Sequence, residues 1–188
     1  MSVFTGWYRA LRLDVTGQAW TDEAKATERE SADMAGRAAA FEEVEEAYRQ
    51  AAARLDGAGM PGLERGLLPL ALLCARVRRG LPPEAREAGW GPYEPWVRPL
   101  VLLAGGHREE AAAVLAGVPE PPRDLLMEAM WCLVARAAVA VCDREAMGRA
   151  RAALEPAAGE LAGAGSGLLT VGPVSDHLAA LAAALPAT

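Results

Sequence analysis

The stretch from Leu125 to Val141, LLMEAMWCLVARAAVAV, is the feature that most constrains the fold of this chain. Only Glu128 and Arg136 interrupt its apolar side chains, and Asp124 before it is a residue type that often caps the start of a helix. A helix that is apolar nearly all round must be covered on several sides by other helices. The stretch therefore predicts a central helix with other helices packed around it.

The rest of the chain has a composition that favours helices. Hydrophobic residues make up 52% of the 188 residues but aromatic residues only 5%, so alanine and leucine supply most of the core. These are good helix formers, whereas strands prefer β-branched and aromatic side chains. No stretch combines the alternation and turn residues typical of paired strands. The sequence therefore predicts an all-α fold, and its length suits a single helical-repeat domain over residues 1–188.

Hydrophobic spacing and turn residues divide the chain into predicted helices. Besides the central helix, these are expected at residues 3–15, 41–56, 63–79, 96–104, 108–117, 144–155 and 175–185. The segment 18–40 differs, because alanines are almost its only apolar residues and charges surround it. We expect this segment to be exposed, mobile or used against a partner, with simple disorder as the alternative.

Prolines, glycines and capping residues set several boundaries of these helices. The connection 81–95 contains four prolines and is not expected to form one regular helix. Trp96 is expected to begin the next helix, with Pro99 tolerated in its first turn. Asp143 is a candidate cap of a later helix, and the glycine-rich segment 163–172 is interpreted as a packed connection rather than an anion-binding loop.

Helix pairs joined by short turns with small residues are the unit of tetratricopeptide-type solenoids. The segment 96–119 fits this unit best. Gly106 lies at the turn between its two helices, Ala111 permits close helix approach and Leu115 fills the adjacent groove. The sequence therefore predicts antiparallel helical hairpins stacked as a degenerate tetratricopeptide-like α-solenoid.

Two segments also resemble a known family. They are GWGPYEPWVRPLVLLAGGHREEAAAVL (89–115) and the stretch 124–185, in which AGSGLLTVGPVSDHL (164–178) is the most characteristic piece. They resemble the C-terminal helical-repeat region of actinobacterial pathway-specific transcriptional regulators, the large factors with a bacterial transcriptional activation domain and their LuxR-type relatives. The resemblance covers roughly residues 41–185 and implies a helical-repeat scaffold with a sensing or docking role.

Two parts of those regulators have no counterpart in this sequence. The chain contains neither a basic recognition helix nor the G-x-x-x-x-G-K-[ST] loop of a nucleotide-binding module. The resemblance therefore carries neither DNA binding nor ATP hydrolysis over to this protein. What it implies is a part in the transcriptional regulation of a biosynthetic pathway.

The charge of the chain argues against direct nucleic-acid binding. Its formal net charge is −6 and its pI is about 5.1, whereas nucleic-acid-binding domains usually carry a basic face. The nearest basic cluster, Arg76, Arg78 and Arg79, does not form one stripe on a helix and is interpreted as a solvated helix end. The acidic charge instead suits a basic or arginine-bearing protein partner.

The cysteines and the N-terminus bear on the compartment. Cys74, Cys132 and Cys142 are widely spaced in apolar segments, so we interpret them as small buried residues and predict neither a disulfide nor a metal site. The N-terminus has no signal-peptide pattern, and the central run is too short and too charged for a membrane span. We therefore expect a cytoplasmic protein that uses no cofactor.

Six residues are candidates for a ligand or partner groove: Trp90, Tyr93, Trp96, Glu128, Arg136 and His177. The three aromatic residues cluster around the proline-rich connection. They either form an aromatic wall for a small molecule or peptide, or fill the space where a repeat helix is broken. Glu128 and Arg136 interrupt an apolar helix, so each needs a polar partner or an exposed edge and is a candidate polar group of a pocket.

The two histidines give little support for catalysis. His177 follows Asp176 near the start of the last helix, and a neighbouring carboxylate can orient a general base. Adjacent helix positions do not face each other, however, and no nucleophile accompanies the pair. His107 is distant in sequence and no carboxylates have ligand spacing, so no metal site is expected either.

Together these patterns predict a non-catalytic regulatory or scaffold module that binds a protein or peptide partner, with a homodimer left open. The alternative is a sensor that binds a small pathway metabolite between helices. A biosynthetic enzyme on the same scaffold is the third hypothesis, and no constellation in the sequence supports it. Direct binding to nucleic acid or to a membrane is not expected.

Overall fold

A computed structural model of the protein describes residue 11 and residues 28–54, 65–84 and 89–185. These ranges are mostly helical, which confirms the all-α prediction. The seven α-helices in them are α1 (Glu28–Ala53), α2 (Leu67–Arg78), α3 (Glu94–Ala104), α4 (Arg108–Ala116), α5 (Met127–Val141), α6 (Arg144–Leu154) and α7 (Val174–Ala184). Short 3₁₀ turns cover Gly91–Tyr93, Glu155–Ala157 and Ala164–Ser166.

Part of the sequence-based prediction lies outside the described residues. Of the helix predicted at 3–15, only Leu11 is described, and it is helical and buried. Residues 18–27 and the turn predicted at 57–62 also lie outside. The backbone is helical from Glu28 onward, so part of the segment 18–40 belongs to α1.

Helix α5 is the centre of the fold. It contacts α3, α4, α6 and α7, and Trp131, Cys132 and Leu133 are among its buried side chains. Burial on several sides requires the nearly continuous apolar surface that its sequence provides. The prediction of a central helix covered by its neighbours is therefore confirmed. No helix in the described ranges is long and apolar enough to cross a membrane.

The start of α5 differs from the prediction. The helix begins at Met127, and Leu125 remains 64% exposed. Asp124 does not cap the helix, because its Oδ1 accepts a hydrogen bond from the Leu126 backbone N–H at 2.9 Å and so closes a turn before the first helical residue. The apolar pattern predicts that Leu125 belongs to the helix, whereas this turn leaves the Leu125 side chain exposed to solvent.

The first two helices pack against each other as the spacing predicted. The buried side chains of α1 are Phe41, Val44, Tyr48 and Ala51, which lie three or four residues apart. In α2 every residue over 70–75 is buried, so this helix is covered on more than one side. Both helices therefore contribute to the same core as α5.

The start of α2 and the connection before α3 touch through their backbones. Gly66 has a φ of +83°, and a Cβ atom there would lie 2.1 Å from the Trp90 carbonyl oxygen. Gly91 has a φ of +54°, and a Cβ atom there would lie 2.9 Å from the Arg65 carbonyl oxygen. Only glycine permits both the positive φ angles and the close approach. The contact also holds Trp90 against the core.

Helix α3 carries a proline in its interior, contrary to the prediction. It begins at Glu94, directly after the 3₁₀ turn, so Trp96 is its third residue and Pro99 its sixth. Tyr93, the last residue of the preceding turn, already has right-handed dihedral angles (φ −88°, ψ −7°), which is why the helix starts earlier than the prolines indicate. Pro99 has no N–H, so α3 lacks one hydrogen bond of a regular helix at that residue.

A short antiparallel strand pair is present although the sequence predicted none. It joins Leu161–Ala162 to Gly172–Pro173 and is too short to produce a recognisable alternation. Between the two strands the chain packs on α5 so closely that a Cβ atom at Gly163 would lie 3.1 Å from the Cβ of Ala129. The segment 163–172 is therefore a packed connection, as predicted.

The arginine-rich end of α2 is not a solvated helix end, which corrects the prediction. Arg79 is only 8% exposed, and its Nη1 donates a hydrogen bond to the Ala75 carbonyl at 3.2 Å. Arg76 pairs with Glu84 at 2.7 Å, and its guanidinium lies 5.0 Å from the centre of the Phe41 ring. The chain that follows α2 folds back beside the helix, so these side chains pack against protein instead of water.

The cysteine prediction holds for two residues of the three. Cys74 and Cys132 are buried, whereas Cys142 is exposed. Cys142 follows the last residue of α5 and has a φ of 65°. This left-handed conformation ends the helix, so Cys142 is not part of the buried helix face. Asp143 then caps α6 as predicted, because its Oδ1 accepts a hydrogen bond from the Ala146 N–H at 3.0 Å.

Candidate functional site

The end of α2, the second half of α5 and the start of α7 border a cavity of about 310 Å³, which we call the arginine groove. Its charged and titratable lining residues are Arg78, Arg136, Asp176 and His177. Its other lining residues are Ala135, Val139, Ala140, Val171, Pro173 and Ala180. A few polar groups set in a largely apolar wall are typical of small-ligand sites.

Helical spacing brings most of these side chains to one surface. Arg136, Val139 and Ala140 lie on one face of α5, because residues three and four apart are neighbours on a helix. His177 and Ala180 are related in the same way on α7. The groove therefore lies between one face of α5 and one face of α7. It contains few polar groups because α5 is otherwise apolar.

The third contribution comes from the last residue of α2, Arg78. Its side chain lies close to the second short strand, where a Cβ atom at Gly172 would lie 3.3 Å from the Arg78 Cγ and Cδ. Gly172 has a φ of +105°, which favours glycine, and the missing side chain leaves room for the arginine stem. The turn before α7 thus helps to hold Arg78 at the groove.

Arg136 carries a positive charge at the mouth of the groove. Its side chain is exposed, and it makes no hydrogen bond or ion pair with the part of the chain that the structure describes. Partial burial lowers the pKa of Arg136 below its ordinary value, but a guanidinium stays protonated at neutral pH. Its charge is therefore available to an anion entering the groove.

His177 is buried at the inner side of the groove, with 6% of its surface exposed. Burial lowers the pKa of His177, and the positive charge of Arg136 lowers it further. The nearby Val171 backbone and the charge of Asp176 act on the pKa in the opposite direction but do not reverse the shift. The imidazole is therefore neutral at pH 7.

The lowered pKa of His177 predicts that the folded protein becomes less stable as the pH falls. Below about pH 6.5, the ordinary pKa of histidine, the unfolded chain takes up a proton at His177 that the folded protein resists, so the free energy of unfolding falls as the pH falls. We expect the fall between pH 7.5 and 5.5 to be at least halved in His177→Gln. Urea unfolding at several pH values measures it.

The exposed His107 provides a matched control for that experiment, because it is the other histidine of the chain. His107→Gln should retain the full pH dependence of the wild-type protein. Equal pH dependence of all three proteins would contradict the assignment to His177.

A second, wider cavity of about 660 Å³ lies between α5, α6 and the connection before α5, and we call it the Trp131 groove. Its apolar lining residues are Pro121, Met127, Trp131, Ala152 and Ala153. Its charged lining residues are Glu120, Arg123, Asp124 and Arg149. The Nε of Arg149 is buried and has no hydrogen-bond partner within the described ranges.

The structure brings together two of the six candidate residues. Arg136 and His177 both line the arginine groove. Glu128 lies two turns before Arg136 on α5, is half-buried, and lines neither that groove nor the Trp131 groove. The sequence alone does not indicate that Arg136 and His177 lie close together, because they belong to different helices.

The three aromatic candidates lie elsewhere. Trp90 and Trp96 are buried in the core, and the Trp96 Nε1 donates a hydrogen bond to the Pro119 carbonyl at 2.8 Å. Tyr93 is half-buried, and its pKa is raised by burial and by the nearby charge of Asp124. None of the three lines the arginine groove or the Trp131 groove, so their positions favour the space-filling interpretation.

Several residues of the two grooves were not identified from the sequence. The sequence pattern places Arg78 at a solvated helix end and makes Trp131 one more apolar residue of the central run. It indicates Asp176 only as a neighbour of His177. Tryptophan is enriched at binding surfaces, but within a continuous apolar run Trp131 does not stand out.

Comparisons with known proteins assign no family to this chain. No family model matches it, and neither a curated protein nor a solved structure matches it. Within the residues that the structure describes, no group of three or more histidine, cysteine, aspartate or glutamate side chains is placed to hold a metal ion.

Proposed function

We propose that the protein is a non-catalytic regulatory or scaffold module of the tetratricopeptide-like type that binds a protein or peptide partner in the Trp131 groove. The observation that carries the proposal is the composition of this groove, whose lining combines Met127 and Trp131 with charged residues of both signs. Protein interfaces are enriched in the same residue types, since tryptophan, methionine and arginine are over-represented there.

The helix pairs support the repeat part of the proposal. Helices α3 and α4 are joined by a short turn and pack together, and so are α5 and α6. In α4, Ala111 and Leu115 are fully buried, as close packing of repeat helices requires. The link to transcriptional regulation of a biosynthetic pathway comes from the family resemblance of the sequence.

The groove also suggests the chemistry of the partner. An apolar side chain of the partner would contact Met127 and the small exposed part of Trp131, which is 7% exposed. The guanidinium charges of Arg123 and Arg149 in the lining favour an aspartate or glutamate of the partner. Glu120 and Asp124 favour a basic residue beside it, so we expect an amphipathic segment with one apolar anchor and charges of both signs.

Ala152→Arg should abolish this interaction without unfolding the protein. Ala152 is exposed on α6 and lines the groove, so an arginine there fills the groove while the core stays intact. Tagged protein is used to capture partners from an extract of its own source. We expect at least tenfold less of the specific partner on the variant, followed by calorimetry with peptides from that partner.

The matched control is Ala113→Arg, which adds the same side chain at an exposed position of α4 outside both grooves. It should capture the partner as well as the wild-type protein does. Equal capture by all three proteins, or no specific capture by the wild-type protein, would contradict binding in the Trp131 groove.

A second candidate function is a small-molecule sensor, and the arginine groove favours it. Ligand cavities usually measure about 300–1,000 Å³, and a groove of about 310 Å³ lies at the small end of that range. Its lining combines an apolar wall with a few convergent polar groups. Such a site would let one protein both hold a partner and respond to a metabolite.

A further inference from the structure

We propose that the arginine groove binds a small monocarboxylic acid with an apolar body, whose carboxylate pairs with Arg136 and whose body contacts the apolar wall. The inference rests on the sensor candidate and names its ligand class. It does not depend on partner binding in the Trp131 groove, which uses other residues.

The charges of the groove favour a monoanion. Arg136 has no hydrogen-bond or ion-pair partner in the described ranges, so its single positive charge is open to one carboxylate. His177 is neutral at pH 7 and Asp176 is negative, so a phosphate dianion would exceed the charge of Arg136 and would be repelled by Asp176.

The shape of guanidinium groups favours a carboxylate. An arginine can donate two parallel N–H bonds to the two oxygens of one carboxylate, and this bidentate pair is stronger than a neutral hydrogen bond. Arg136 has no partner within the described ranges and is exposed at the mouth of the groove. Arg78 lines the same groove from a different helix.

The remaining lining favours an apolar body of limited size. Val139, Val171, Pro173 and Ala180 form the wall beside the charged residues. An apolar group against this wall removes its surface from water and adds affinity that a bare anion lacks. The volume of about 310 Å³ matches a short aliphatic or single-ring acid.

Phenylacetate and hexanoate are suitable probes, with phenylacetamide as the uncharged counterpart and inorganic phosphate as the bare anion. Binding is measured on the full chain by calorimetry and by the shift in melting temperature at pH 7. We expect at least one of the two acids to bind saturably, and at least tenfold more tightly than the amide or phosphate.

Variants of the chain assign the binding to the groove. Arg136→Ala should weaken acid binding at least tenfold, and Arg136→Lys should recover only part of it, because lysine keeps the charge but loses the bidentate geometry. Arg98→Ala is the matched control, since Arg98 is exposed on α3 and outside the groove. It should bind the acid as the wild-type protein does.

Four outcomes would overturn the proposal: no saturable binding of either acid, equal binding of acid and amide, tighter binding of phosphate, and wild-type affinity in Arg136→Ala. A tripeptide ending in Gly-Phe, compared with its C-terminal amide, tests whether the carboxylate belongs to a peptide. Tighter binding of that tripeptide than of the free acids would also overturn it.

The partner proposal can fail separately from this one. Ala152→Arg changes only the Trp131 groove and should retain acid binding. Arg136→Ala changes only the arginine groove and should retain the partner.

Discussion

Gly66→Ala should destabilise the protein by roughly 3–5 kcal/mol, because a left-handed backbone and a backbone clash act together. Gly66 has a φ of +83°, and its Cβ would lie 2.1 Å from the Trp90 carbonyl oxygen and 2.5 Å from the Trp90 carbonyl carbon. Both are backbone atoms, so no side-chain rotation relieves the clash. Chemical unfolding followed by circular dichroism measures the loss.

The chain offers a matched control for this change. Gly148 lies inside α6, is exposed, and has nothing within 4 Å of an added Cβ. Gly148→Ala should stabilise the protein by about 0.5–1 kcal/mol, because alanine is the better helix former. If Gly66→Ala were as stable as Gly148→Ala, the described contact between Gly66 and Trp90 would be wrong.

Trp96→Ala should reduce the free energy of unfolding by about 3–5 kcal/mol, the usual cost of removing a large buried aromatic side chain. Trp96 is 7% exposed, and its ring bridges α3 to the connection that follows α4 through the 2.8 Å hydrogen bond to the Pro119 carbonyl. Truncation removes the packing and leaves that carbonyl without its donor. Denaturant titration measures the loss.

Trp96→Phe separates the two contributions. It retains most of the ring but not the N–H, so we expect a smaller loss of about 1–2 kcal/mol. Because Trp96 lines neither groove, the phenylalanine variant should bind phenylacetate as tightly as the wild-type protein. Unchanged stability together with lost binding would instead support the aromatic wall considered from the sequence.

The helices could be predicted largely because each carries its own signal. The apolar run of α5 requires other helices around it to keep it from water, and the spacing of Phe41, Val44 and Tyr48 shows which face of α1 is buried. Helix ends were harder to predict. The turn at Asp124 and the early start of α3 depend on short local contacts that the apolar pattern does not contain.

The grooves were only partly predictable, for a different reason. Arg136 and His177 could be singled out because each is a polar residue on an apolar helix face. Arg78 could not, because nothing in its own segment indicates that α2 ends beside α7. The Trp131 groove depends on how α5, α6 and the connection before α5 meet, and one sequence carries no direct record of that geometry.

Helix α5 lines both grooves, one on each side of the helix. Trp131 and Arg136 lie five residues apart on this helix, so their side chains point about 140° away from each other. A shift of α5 toward one groove, with the other elements fixed, therefore narrows that groove and widens the other. Any coupling between occupants of the two grooves that passes through such a shift has equal magnitude in both directions, since thermodynamic coupling is reciprocal.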